Sequence, residues 1–567
     1  MLVDLVKRNY EKSWFALGIV LVVSILTVAL PIWLGGLRQT VDMRSHLHFV
    51  HAFRDGIAVG DLYPGWADDN LGFGSVGIRF YPPVSDYFTA LLHLASGDWH
   101  FAFSMALFAW MLIGCIGMYL FIREWSSPVY GILASVLYAI APYHFTQIYR
   151  FFLYAEFAGL AAVPFCLLYL TRLCRRGKWI DVAPLALSSS VLVLSHIPLT
   201  LMTAFSLLVY IPIAIDWRLW KKVSLQLICS GILVSAATAF FWIRVVTELS
   251  WVAHSDTRYT VAGYEQGPLL FPYLLVGYDI TYEYPILRHL DIVTVLTVML
   301  LVSGIVVLFT RPRRISMPTF RVLAGTTCSA VFGVFMFSKP SEPLWSGLSI
   351  LQRLQYPWRW LAVVSVLAVV SISLSLALFV ETGRISRRTA LYGALLLIVG
   401  FAVVDIKQIH GTPFHISGPQ FNNFAAEMRS ERVAEHWWPS WAKAEAFETT
   451  EPVTTTDGRT VEVSSWGNKR RSFSVGEGES GNIRVATFYY PHWRATVNGR
   501  NLEVGRYTDG TMELRIPRER SEVELRFEEP LLNAIASWLS VATWILLLGS
   551  LAVRFDFLKR KALELNQ

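Results

Sequence analysis

An acid and an imidazole stand four residues apart in Thr40-Val-Asp42-Met-Arg-Ser-His46, a stretch that continues through His48 to His51. If a helix begins at Asp42, His46 lies on the same face. A carboxylate so placed can take a proton from an attacking hydroxyl, while the imidazole orients it or meets a phosphate. The same spacing also suits a helix N-cap or a solvated loop acid. A metal site from Asp42, His46, His48 or His51 is the alternative, but spacing fixes no third ligand. A divalent cation is therefore permitted and not required.

Three further ionisable groups sit at the ends of apolar runs. They are Glu156, His196 in Leu194-Ser-His-Ile-Pro198, and Arg359 in Gln355-Tyr-Pro-Trp-Arg-Trp360. A charge at membrane depth costs several kcal/mol unless it is paired or faces a cavity. All three come out level with Asp42. A helix-locking Glu–Arg bridge or snorkelling is the competing account, and convergence on one face is what favours a site.

The elements that must position these groups follow from composition. Of 567 residues, 54% are hydrophobic and 16% charged, with mean hydropathy +0.45. A soluble domain carries about 25% charged residues, so a soluble, disordered, collagen-like or coiled-coil chain is excluded. Apolar runs predict helical spans at roughly 14–37, 100–122, 128–142, 155–171, 181–197, 199–215, 223–243, 291–310, 321–338, 358–380, 389–405 and 532–553. The third is short, since 15 residues rise only about 22 Å as helix. It either extends further or breaks near Pro142.

Net charge is +7, but the cations cluster between apolar runs, as in Arg172, Arg175, Arg176 and Lys178. That is the pattern of cytoplasmic loops; no nucleic-acid partner is expected. It predicts a multi-pass protein of the cytoplasmic (inner or plasma) membrane, embedded in the lipid bilayer, with both termini inside. The first run lacks a signal-peptide cleavage pattern and is read as an uncleaved span. Cys115, Cys166, Cys174, Cys229 and Cys328 show neither metal-ligand spacing nor a disulfide framework.

The predicted organisation is a transmembrane unit over 1–405 with a long first outer loop (38–99), a soluble outer unit over 406–531, and a last helix with its tail over 532–567. In the outer unit, Asn498-Gly499 and Asp509-Gly510 are hairpin signals. Glu513-Leu-Arg-Ile and Val523-Glu-Leu-Arg-Phe alternate with period two, predicting a β-sandwich. Tyr259, Tyr264, Tyr273, Tyr278, Tyr282 and Tyr284 suit interfacial anchoring better than sugar stacking.

The ordered set Asp42…His46…Gly60…Tyr63-Pro…Trp66…Gly72-x-Gly74…Phe80-Tyr-Pro-Pro83 resembles the start of the 6-pyruvoyl-tetrahydropterin synthase-related membrane-domain family. That family in turn resembles GT-C glycosyltransferases, multi-span enzymes that use polyprenyl-phosphate sugars. Phe488-Tyr-Tyr-Pro-His-Trp-Arg-Ala-Thr-Val-Asn-Gly499 is similar to a stretch near the end of YfhO-like membrane glycosyltransferases. The resemblance implies an α-helical polytopic GT-C-like body with a small outer β-sandwich. It implies sugar transfer from a polyprenyl-phosphate donor to a hydroxyl of an envelope glycan or lipid, with Asp42 as catalytic base and direct displacement that inverts the anomeric centre. His46, Glu156, His196, Arg359, Tyr81 and Trp66 would contact substrate. One departure is visible: relatives carry Arg-Gly five residues before a Glu, where this chain has Phe151-Phe152 before Glu156 and a displaced Arg150. A transporter or flippase of lipid-linked saccharides and a non-catalytic envelope scaffold are the alternatives.

Overall fold

The computed structural model describes residues 13–38, 41–256, 270–272, 280–311, 316–410, 415–432 and 435–564. Among them, 11 helices are long and apolar enough to cross a membrane, from Trp14–Gly35 to Leu531–Val553. The expected third span does extend: Pro128–Phe151 is one 24-residue unit. It is helical to Ala139, restarts at Pro142, and ends in a π-helix over Thr146–Phe151. Proline cannot donate a backbone N–H, which is why the helix is interrupted there.

The fifth expected span, 181–197, differs. Trp179–Val193 is apolar but falls short of the other 11. It nevertheless joins opposite faces. At its start Asp181 lies 3.9 Å from Arg172, which also holds Glu124, while Arg176 bonds Glu124 at 2.7 Å. Just past its other end, His196 lies within the field of Arg359 and His46.

The long first loop and the C-terminal unit meet on the His196 side. β1 (Leu37–Arg38) pairs antiparallel with β2 (His415–Ile416). The first part of 406–531 is not sheet: the Arg387–His410 helix runs into it, and Gly418–Glu427 is a further helix. A capping box between Ser417 and Gln420 starts the latter.

Two sheets follow. One has the order β3-β6-β10-β9, from β3 (Val453–Thr455), β6 (Gly481–Phe488), β9 (Gly505–Arg506) and β10 (Thr511–Ile516). The other runs β4-β5-β11-β7-β8, from β4 (Val461–Trp466), β5 (Arg470–Val475), β7 (Trp493–Val497), β8 (Arg500–Leu502) and β11 (Ser521–Phe527). Val523, Leu525 and Phe527 alternate inward, as a half-buried strand requires. Asn498 and Gly499 both have positive φ, 49° and 75°. That is the turn geometry whose twist matches a two-residue hairpin.

Loop and sandwich are locked together. Arg471 pairs with Asp68, Lys469 with Asp61, and Phe488 N donates to Phe73 O at 2.8 Å. Buried Arg79 holds Glu248 at 2.7 Å and Glu529 at 2.5 Å, joining the loop, a helix end and the lead-in to the last span.

Candidate active site

Two helix starts supply the carboxylates. Asp42 lies in the first turn of Val41–Ala58, and Asp86 in the first turn of Val84–Ser96. An acid there is favoured by the positive end of the helix dipole. Pro82-Pro83 directly precedes the second helix, with Pro83 as its N-cap.

His46 joins them. Its Nδ1 lies 2.8 Å from Asp86 Oδ1, and both side chains are buried. Burial alone would lower the imidazole pKa, but the Asp86 carboxylate, with Asp42 beyond it, raises it above its ordinary value. The two carboxylates therefore favour its charged form. Asp86 Oδ2 has no hydrogen-bond partner among the described residues. Asp42 is half-buried; burial pushes its carboxyl up, against the opposing pull of His46 and Arg359.

Arg359 is the common neighbour of the group, since its charge is felt at Asp42, Glu156, His196 and Tyr81. It is half-buried, packs over the Tyr356 ring at 5.4 Å, and leaves its Nε without a partner. No carboxylate among the described residues forms an ion pair with it. Glu156 Oε1 accepts from Tyr143 Oη at 2.7 Å and Gln147 Nε2 at 2.9 Å, while Oε2 is unpartnered.

His196 caps the Ile197–Ala214 helix, its Nδ1 accepting from Leu199 N at 3.1 Å. That bond leaves the ring proton on Nε2. Burial, then the Arg359 and His46 charges, hold its pKa well below the usual value, so His196 is neutral. Tyr81 stacks on Phe49 at 4.6 Å and meets His46 edge-on at 5.6 Å.

The sequence-derived residues Asp42, His46, Glu156, His196, Arg359 and Tyr81 are thus brought together. Trp66 is not among them. It is fully buried against Trp493 and Phe527 of the sandwich, and a Cβ on Gly74 would fall 2.0 Å from its ring. His48 turns away to Asp69 at 2.9 Å, and His51 to the Ala425 carbonyl. Among the described residues no three His, Cys, Asp or Glu side chains could hold a metal ion. Tyr259, Tyr264, Tyr273 and Tyr278 lie outside the described residues, as do the side chains of Tyr282 and Tyr284.

Sequence reasoning missed Asp86, Tyr143 and Gln147. The signal for Asp86 was present, because Pro-Pro-x-x-Asp sets an acid into a first helical turn. Phe152 explains the departure at its position: its φ is +54°, a left-handed conformation that glycine adopts without strain. Phe152 instead stacks on Tyr154 at 5.7 Å. Arg150 lies beside Arg38 and His289.

The sequence over residues 78–409 matches the family described as 6-pyruvoyl-tetrahydropterin synthase related domain, a membrane protein. The chain belongs to this family. The match runs from the first loop through the Arg387–His410 helix, and so covers Tyr81, Asp86, Glu156, His196 and Arg359. No curated protein matches the chain. Among solved structures, ArnT from Cupriavidus metallidurans bound to undecaprenyl phosphate is 14% identical, with 73% of this chain and 74% of that chain covered at TM-score 0.40. The Archaeoglobus fulgidus oligosaccharyltransferase tethered with an acceptor peptide is 12% identical, covering 76% of this chain at TM-score 0.43. The chain spans 61% of that protein's length.

Proposed function

We propose that this family member is a GT-C-type glycosyltransferase of the cytoplasmic membrane, moving a sugar from a polyprenyl-phosphate donor to a hydroxyl acceptor on the outer face. The observation that carries this reading is the gathering of His46, Glu156, His196 and Arg359 around the half-buried Asp42 carboxylate. A base stands beside cations, as displacement of a phosphate leaving group requires.

Asp42 takes the proton of the acceptor hydroxyl as its oxygen attacks the anomeric carbon. The bond from that carbon to the phosphate oxygen breaks, and its electron pair leaves with the polyprenyl phosphate. Arg359 and protonated His46 stabilise the charge that grows there, and His196 offers an Nε2–H donor. Attack with a single base and no covalent intermediate inverts the anomeric centre. The sandwich and first loop lie outside, and both termini inside.

The test is transfer of labelled sugar from polyprenyl-phosphate donors by purified protein, wild type beside Asp42→Asn. Turnover by wild type, lost in the variant with donor binding retained, supports the reading. Equal turnover by both removes Asp42 as base. No turnover from any lipid donor, with lipid-linked saccharide moved across proteoliposomes, makes the chain a transporter.

A further inference from the structure

Further along the Val41–Ala58 helix a polar cavity of about 190 Å³ opens between the first loop and the sandwich. His48, His51 and Asp55 face it from the helix, Asp68 and Asp69 from the loop, and Asn468 from the sandwich. This volume is below the roughly 300–1,000 Å³ of sites for drug-sized ligands. One small polar molecule fits it; a lipid chain does not.

The charges are already balanced. Asp55 accepts from Arg54 at 2.7 Å and pairs with Arg429. Asp68 pairs with buried Arg471. Asp69 Oδ2 holds His48 Nε2 at 2.9 Å and Ser75 Oγ at 3.1 Å. Three compensated carboxylates exert little net pull on a cation, and no three of these groups converge to ligate one. Their remaining lone pairs still accept hydrogen bonds.

His51 provides an independent sign of a ligand. It is only 5% exposed. Its Nε2 donates to Ala425 O at 2.8 Å, which leaves Nδ1 as a lone-pair acceptor, and that atom has no partner among the described residues. Burial holds the ring neutral, with its pKa pushed down to about 4. A buried acceptor left unpaired costs about 1–3 kcal/mol, and a hydroxyl donor would remove that cost.

We infer that this cavity binds one neutral sugar unit of the acceptor, its hydroxyls donating to His51 Nδ1 and the Asp55, Asp68 and Asp69 oxygens while Asn468 closes the ring. This rests on the glycosyl-transfer reading for the word acceptor, and on the cavity alone for the sugar.

The experiment is saturation-transfer NMR of full-length protein in nanodiscs with millimolar methyl glycosides of glucose, galactose, mannose and N-acetylglucosamine, without lipid donor. Wild type should saturate at least one glycoside. His51→Leu and the half-buried Asn468→Ala should each lower that signal roughly fivefold, about one hydrogen bond's worth, with thermal melting confirming that both fold. Asp42→Asn should keep it, because Asp42 does not line the cavity. Binding without turnover from any lipid donor leaves the sugar site standing and removes the transfer reading. No saturation of any glycoside, or saturation indifferent to both variants, overturns the inference. Relaxation enhancement by Mn²⁺ that Asp55→Asn abolishes, with no glycoside bound, assigns the cavity to a cation and overturns it equally.

Discussion

His46 Nδ1 and Asp86 Oδ1 stand 2.8 Å apart inside the protein, joining the starts of two successive helices. The carboxylate raises the imidazole pKa, so Asp86 acts on the site through His46.

Asp86→Asn keeps the shape of that contact and removes its charge. The His46 pKa should fall, and donor binding should weaken near neutral pH and recover as pH is lowered. The sign follows from the direction of the shift. A raised pKa keeps His46 charged until pH rises through it, so lowering that pKa moves the basic limb of binding to lower pH. Titration of polyprenyl phosphate across pH checks this. A uniform loss at every pH would mean that Asp86 only packs.

The base itself should leave a mark on the acid side. Burial raises the Asp42 carboxyl above its ordinary 3.8. Transfer at saturating donor should therefore decline, as pH falls, at a higher pH than an exposed aspartate would give. Arg359→Met removes one of the two groups holding that pKa down, so its acid limb should move up further. Rate–pH profiles of the two proteins decide this, and coincident limbs would remove Asp42 as the titrating group.

Much of this was legible in the sequence because it rests on local periodicity. Apolar runs set the spans, Asn498-Gly499 set its hairpin, and Asp42 and His46 share a face at i+4. Two things were not legible. The sequence left open whether the third span extends or breaks at Pro142, because there the helix is interrupted and yet restarts and widens. The His46 contact of Asp86 and the seat of Trp66 depend on partners about 40 and 400 residues away, and a tertiary contact of that range leaves no periodic trace. Trp66 looked like a site residue because a motif tryptophan is as useful to a domain joint as to a ligand.

Arg359 should bind phosphate without contributing much to stability. No ion pair ties it to Glu156, and its Nε is unpartnered, so it is not a strut in the resting protein. A planar guanidinium can hold a phosphate through two hydrogen bonds, which an ammonium cannot reproduce. Arg359→Lys should melt within a degree or two of wild type and bind donor more weakly, and Arg359→Met more weakly still. A thermal-shift titration with and without polyprenyl phosphate measures both. Earlier melting with unchanged donor binding would assign Arg359 to packing.

The joint between membrane body and sandwich should fail in acid before either part does. Arg79 is fully buried between Glu248 and Glu529, and Tyr490, His492 and Asn533 complete the shell around Glu248. For Glu248 burial pushes the pKa up, but the His492 and Arg79 contacts prevail and leave it at about 2; for Glu529 burial is likewise overcome, by Arg79 and Arg244, again to about 2. Both are depressed from 4.5, so their stabilisation is complete above that pH and is lost as pH falls toward about 2. Removing the cation strands two carboxylates, and breaking a buried pair costs about 3–5 kcal/mol. Arg79→Met should therefore release the sandwich to protease at neutral pH, as acid does in wild type, while the helical body stays intact. Arg79→Met combined with Glu248→Gln and Glu529→Gln should recover part of the loss, because no uncompensated charge is then buried. Failure of the triple variant to recover any resistance would mean that the guanidinium's packing on Tyr490 and Phe527, and not its charge, holds the joint.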